Sequence, residues 1–260
     1  MTVTSITLPR LEVLGRPLDA ARPDGVYLGP VGFEGWHDGP DMRRETVQRV
    51  AAAGDYDARG YPDARVVSLS GVIVSPSEER TQYWRERLTG VLNDGQTDRM
   101  TVRENGTVRF AEAGLVKTKV VTRARARHVA DWQMQLWCPD PQKFGELRTA
   151  GADGGSFCDV QHWGNAPATS VFTMTGSDDN GYLILGPSGR RVEVNAPLVR
   201  GVPHEFDLAT GQLRVGGVVT YGALGQVDLW TTYPGKAVSV GMSNTDSSNR
   251  LGVETYDTYL

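Results

Sequence analysis

Cysteine, lysine and long apolar runs are all scarce in this chain, and each scarcity narrows what it can be. Only two cysteines occur in 260 residues, Cys138 and Cys158, 20 positions apart. That is too few for the disulfide framework of a small secreted domain, so free thiols are the expectation. The longest apolar stretches lie near Val72–Val74 and Tyr182–Leu185. Neither approaches the roughly 20 residues that a membrane-crossing helix needs. Met1 to Leu8 has no basic start followed by an apolar stretch, so no signal peptide is expected. Lysine supplies 4 of the basic residues and arginine 23. With frequent Ala and Gly, that bias fits a GC-rich genome better than a binding chemistry.

What is present reads as an ordinary globular chain. Hydrophobic residues make up 39% and charged residues 22%, which argues against disorder. The length allows one large β domain or two ordinary ones with a substantial core. Net charge is −4 but unevenly placed: residues 1–150 carry +1 and residues 151–260 carry −5. Two modules with different surfaces follow, and a dedicated nucleic-acid binder does not.

One segment reads as helix, over about residues 76–92. Ser75-Pro76-Ser77-Glu78 has the form of a capping box with proline at the first helical position. Trp84, Leu88, Val91 and Leu92 then form one apolar stripe, and Asn93-Asp94-Gly95 ends it. Almost everything else reads as strand and turn. Arg65–Ser75 is rich in β-branched residues, and Thr101–Phe110 is a hairpin turning on Asn105-Gly106. Val116–Arg127 alternates as one strand, with Lys117, Lys119, Arg123, Arg125 and Arg127 on one face. Trp132–Trp137 alternates too, until Pro139 and Pro141 stop it. Residues 142–156, around Gly151-Ala152-Asp153-Gly154-Gly155, read as a linker. Beyond it, turn signals recur from Gly164-Asn165 to Pro234-Gly235, between short runs such as Ser170–Thr175, Tyr182–Leu185, Arg191–Val194, Val227–Trp230 and Ala237–Val240. That spacing indicates an antiparallel sandwich.

No catalytic, cofactor-binding or metal-binding residues are assigned, and the chain reads as a non-enzyme. His37, His128, His162 and His204 are scattered, and Cys158 with His162 lacks a helical context that would aim both at one ion. There is no nucleophile elbow and no phosphate-binding glycine loop. Asp38, Asp41, Glu78, Glu79, Asp178 and Asp179 could pair across space for glycosidase chemistry, but turns and helix faces explain them more cheaply. The basic stripe has no interleaved aromatics, so a solvated face or an acidic protein partner is favoured over nucleic acid. Trp163, Tyr182, Tyr221, Trp230, Tyr233, Tyr256 and Tyr259 raise a sugar-binding option, against the plainer reading that they fill a core or a subunit contact.

The order of segments resembles the distal tail protein family of siphophages. The landmarks are Tyr61-Pro62-Asp63-Ala64-Arg65 leading into Val66–Ile73, the helix with Arg80, Tyr83, Trp84 and Leu88, and Trp137-Cys138-Pro139-Asp140-Pro141. Trp163-Gly164-Asn165-Ala166-Pro167-Ala168-Thr169 and Phe206-Asp207-Leu208-Ala209-Thr210-Gly211 continue them, while the first 60 residues match poorly. The resemblance implies a mainly β fold: a ring-forming N-terminal β-barrel or sandwich-like domain (1–150) with one packed helix, then a galectin-like antiparallel β-sandwich (151–260). It implies a structural virion protein, made in the host cytoplasm and sited at the tail tip, forming a hexameric ring between tail tube and tip. Implied partners are copies of itself, the tail tube protein, the tail-tip protein and receptor-binding proteins, with no cofactor, no membrane and no specific nucleic acid. The rival expectation is a carbohydrate-binding virion module that contacts the host surface.

Overall fold

A computed structural model describes residues 3–16, 21–243, 246 and 248–260. The chain forms two compact units, Met1–Lys143 with Leu260, and Phe144–Tyr259. Among the described residues there is one α-helix, and no helix is long and apolar enough to cross a membrane.

The first unit is a closed barrel. Its strands are β1 (Val3–Leu8), β2 (Leu11–Leu14), β3 (Gly25–Glu34), β4 (Arg65–Val74), β5 (Asp98–Glu104), β6 (Thr107–Arg123) and β7 (Ala126–Cys138). They run in the order β7-β4-β3-β2-β1-β5-β6, and β6 pairs back onto β7 to close the ring of strands. Closure leaves no long free edge for stray pairing. Among the described residues only β2 with β3 is parallel, Val13 opposite Val26; the other barrel pairs are antiparallel. The expected hairpin turns where it should: Asn105 and Gly106 both take positive φ, 48° and 78°, the pair of values a two-residue turn of this hand requires. Alternation puts Val67, Leu69, Ile73, Trp132, Met134 and Leu136 inside, in one core cluster with Ile6, Val13 and Met100.

Two expectations for this half are corrected. The helix α1 is Glu78–Gly90 and its cap is Ser77, whose Oγ accepts from the Arg80 amide. Ser75 is instead buried just past the end of β4 and bonded to Thr81 Oγ1 (2.6 Å) and to the His128 carbonyl, which leaves capping to Ser77. Val91 and Leu92 are still buried, in the turn after the helix. Asp24 holds the helix, accepting from Arg80 Nε at 2.8 Å and Trp84 Nε1 at 2.6 Å. Second, the basic stripe is not one strand. The chain reverses at Ala124-Arg125, so Arg127 lies on β7 beside Glu78, and Arg123 grips Asp131 with two hydrogen bonds of 2.6 and 3.0 Å. No glycine, proline or asparagine marks that reversal in the sequence.

The second unit is a two-sheet sandwich. Its strands are β8 (Lys143–Asp153), β9 (Phe157–Val160), β10 (Ser170–Thr175), β11 (Tyr182–Leu185), β12 (Arg191–Val194), β13 (His204–Asp207), β14 (Gln212–Val215), β15 (Val218–Val219), β16 (Leu224–Val227), β17 (Val238–Met242) and β18 (Arg250–Tyr259). One sheet runs β8-β18-β10-β13-β14-β15 and the other β9-β17-β11-β12-β16. Phe172, Met174, Phe206, Leu213 and Val253 from the first meet Ile184, Val192, Val194, Val240 and Met242 from the second in one core. The glycine-rich stretch expected as a linker is largely strand, since β8 runs to Asp153. The expected strand Val227–Trp230 is displaced to β16, which releases Trp230 into the core against Phe172. Asp207 shapes the β13–β14 hairpin by accepting from the Ala209 amide at 2.8 Å and the Thr210 hydroxyl at 2.9 Å.

Candidate functional site

The residues weighed for catalysis do not converge. Among the described residues no group of three or more His, Cys, Asp or Glu side chains could hold a metal ion. His162 is buried and held in place, its Nε2 3.0 Å from the Thr232 carbonyl and its Nδ1 accepting from the Gly164 amide. His37 lies 3.4 Å from Glu104, while Asp38 and Asp178 each accept a turn amide. Burial pushes the Cys138 thiol up to about 11 and raises Cys158 as well, so neither is primed as a nucleophile.

His204 is fully buried in the sandwich, its Nδ1 hydrogen-bonded with the Tyr182 hydroxyl at 2.9 Å. Burial holds its pKa below the ordinary 6.5. The folded chain therefore resists a proton that the unfolded chain accepts, and stability falls as pH drops below about 6.5. The slope due to one such group reaches at most about 1.4 kcal/mol per pH unit. His204→Gln is expected to flatten urea-unfolding stability between pH 6.5 and 5; an unchanged slope would refute the assignment.

The most distinctive feature is an arm that the sequence reading did not single out. Between β3 and β4 the chain leaves the barrel as a long hairpin, whose limbs pair briefly at Met42–Arg43 against Tyr61–Pro62 and at Val47–Gln48 against Asp55–Tyr56. Every residue from Asp41 to Asp57 is exposed. Met42, Val47, Val50, Tyr56 and Tyr61 are among them or beside them, and Val50 at the tip is 101% exposed. Its root, by contrast, is locked. Arg65, 2% exposed, donates from Nη1 to the carbonyls of Gly35 (2.7 Å), Trp36 (3.3 Å) and Asp38 (2.6 Å), and from Nε to Pro141 (3.0 Å). Lys143, also buried, donates to the Trp36 carbonyl at 2.8 Å over the Trp36 ring. Burial, with the charges of Arg65 and Arg109 nearby, pushes Lys143 down to about 8. Two buried cations thus close the base of an exposed arm using backbone carbonyls. Alternation rules assign charged residues to the surface, so this clamp gave no sequence signal.

The aromatic candidates divide. Tyr182 and Trp230 are core residues, Trp230 being 4% exposed, whereas Trp163 is 60% exposed. Trp163 is nonetheless firmly mounted: its amide donates to Asp257 at 2.7 Å, and Arg148 grips the same carboxylate at 2.8 and 3.2 Å. Those partners lower the Asp257 pKa against the opposing effect of burial.

The chain thus combines a closed barrel that carries an arm with a two-sheet sandwich. Among solved structures, the chain is similar to the Dit protein (gp 19.1) of phage SPP1, described as a paradigm of the hub adsorption apparatus in phages infecting Gram-positive bacteria. The TM-score is 0.68 at 13% identity, over 90% of this chain and 94% of that one. It is also similar to chains of the phage P2 baseplate in its activated conformation, with Ca (TM-score 0.52, 6% identity, 83% and 87% covered) and with Sr (0.51, 6%, 85% and 88%). No family model matches the chain, and no curated protein matches its sequence. At these identities the likeness establishes the shared fold.

Proposed function

We propose that this chain is a structural subunit of a siphophage tail, a distal tail protein whose copies close into a ring, a hexamer, between the tail tube and the tail tip. Its partners are then further copies of itself, the tail tube protein, the tail-tip protein and receptor-binding proteins, and its place is the tail tip of the virion. The reading assigns the chain a mechanical connection and no chemical step. The likeness in fold to the SPP1 Dit protein supports it.

The observation that carries it is the arm. A segment that exposes Met42, Val47, Val50, Tyr56 and Tyr61 without a core of its own gains stability by packing on another surface. Each such side chain, once covered, contributes on the order of 1–3 kcal/mol. A heterologous contact of this kind, repeated by rotation, closes a ring. Purified chain, alone or mixed with its tube protein, is expected to show closed rings by electron microscopy. Replacing residues 42–62 by a short Gly-Ser turn is expected to give monomers with an unchanged far-UV circular dichroism spectrum. Absence of any closed oligomer in both preparations would exclude the ring.

A second reading, a carbohydrate-binding module touching the host surface, is favoured by the exposed and rigidly mounted Trp163. Its flat ring is suited to stacking on a sugar, and a Cβ at Gly235, two residues from the exposed Tyr233, would come 3.9 Å from the ring atom Cζ3.

A further inference from the structure

The outer face of the barrel carries a groove that neither reading uses. Strand β3 does not follow β4 evenly: Leu28 faces Gly71 and Phe33 faces Leu69, so Gly29-Pro30-Val31-Gly32 bulges out opposite Ser70 alone. The bulge is built for close approach. A Cβ at Gly32 would lie 1.9 Å from the Ser70 carbonyl oxygen, and one at Gly71 would lie 1.9 Å from that of Tyr27. Its product is Val31, 82% exposed, standing over the sheet as an apolar post.

Two concavities of about 510 and 540 Å³ adjoin this post, and both are lined by Val31, Ser70, Lys119 and Gln133. Their floor is the outward face of β4, β7 and β6. Pairing sets Lys117 opposite Gln135 and Lys119 opposite Gln133, so the two exposed lysines face cross-strand amides rather than carboxylates. The remaining basic residues of the expected stripe are placed differently, with Arg123 on Asp131, Arg125 in the turn and Arg127 beside Glu78. The groove therefore combines two cations that have no carboxylate directly across the strand pair, a floor of neutral hydrogen-bonding groups, and an apolar post.

We propose that this groove docks an acidic, extended polypeptide segment of a partner protein. Carboxylates would meet Lys117 and Lys119, main-chain groups would meet Ser68, Ser70, Gln133 and Gln135, and an apolar side chain would lie against Val31. From Lys117 to Val121 the floor runs about 13 Å, the reach of roughly four extended residues. A nucleic-acid duplex fits less well, because its rows of phosphates call for a broader array of cations than Lys117 and Lys119 supply, and Asp131 in the groove is already neutralised by Arg123.

The test uses the full-length chain at near-physiological salt, with fluorescence anisotropy of three probes: an alternating Glu-Ser dodecapeptide, its Lys-Ser counterpart and a short DNA duplex. The Glu-Ser peptide is expected to bind, and Lys117→Glu/Lys119→Glu to weaken it at least about tenfold. Arg200→Glu/Arg214→Glu, at two exposed positions of the second unit, is expected to leave it unchanged, which separates the groove from general attraction to basic surface. Equal binding by the lysine variant, no binding of the Glu-Ser peptide, or tighter binding of the duplex would each overturn the proposal. Because both lysines are exposed, circular dichroism of the variant is expected to match the parent, so that a loss reports on the groove.

Discussion

Arg65→Met is expected to destabilise the barrel unit by about 3 kcal/mol and to loosen the arm with it. Three carbonyls, those of Gly35, Asp38 and Pro141, would lose the guanidinium that now reaches them, each at about 1 kcal/mol or more. The carbonyl of Trp36 would keep Lys143. Lysine cannot substitute, because one ammonium on a flexible stem does not reach carbonyls on two chain segments as a planar guanidinium does, so Arg65→Lys is expected to recover little. The bonds to Gly35 and Asp38 close the base of the arm, so arm protection should fail before the barrel does. Urea unfolding gives the stability, and limited proteolysis near Arg49 gives the arm. A loss below about 1 kcal/mol with unchanged cleavage would mean the clamp is incidental.

How much of this was legible beforehand depended on whether local rules decided the outcome. Strands Ser170–Thr175, Tyr182–Leu185 and Arg191–Val194 lie where their alternation put them, because one face of each is buried and register follows from that. The Asn105-Gly106 hairpin likewise followed from turn chemistry. Local rules failed where distant partners decided. Ser75 lost the cap to Ser77 because His128 and Thr81 engage it. Arg123 ends its strand beside Asp131, eight residues on, without any turn residue to announce it. The arm was invisible for a different reason: residues 41–63 lack the sustained alternation of a core strand, since nothing in the chain itself buries them. Its hydrophobic residues pointed to no face, and exposure is what gives them meaning. The resemblance to distal tail proteins rested on order and spacing, and the shared fold appears at 13% identity, where individual residues carry little of it.

Trp163 and Trp230, which the sequence placed in one aromatic set, are expected to respond oppositely to the same substitution. Trp230→Ala should cost the sandwich about 3–5 kcal/mol, since the ring is 4% exposed and packs against Phe172 at 5.7 Å between centroids. Gly186 sharpens that expectation: a Cβ there would come within 2.8 Å of the Trp230 ring, so the indole fills a space shaped closely around it. Trp163→Ala removes a ring that is mostly in water and should change stability by less than about 1 kcal/mol, because its mounting acts through the amide on Asp257, which alanine keeps. That difference makes Trp163→Ala a clean probe of the carbohydrate reading. On a glycan array, binding by the parent chain that disappears in Trp163→Ala at unchanged melting temperature would support a sugar platform on the sandwich. Binding that survives the substitution, or a parent chain that retains no glycan, would leave the exposed indole as a protein contact and return the whole surface to assembly.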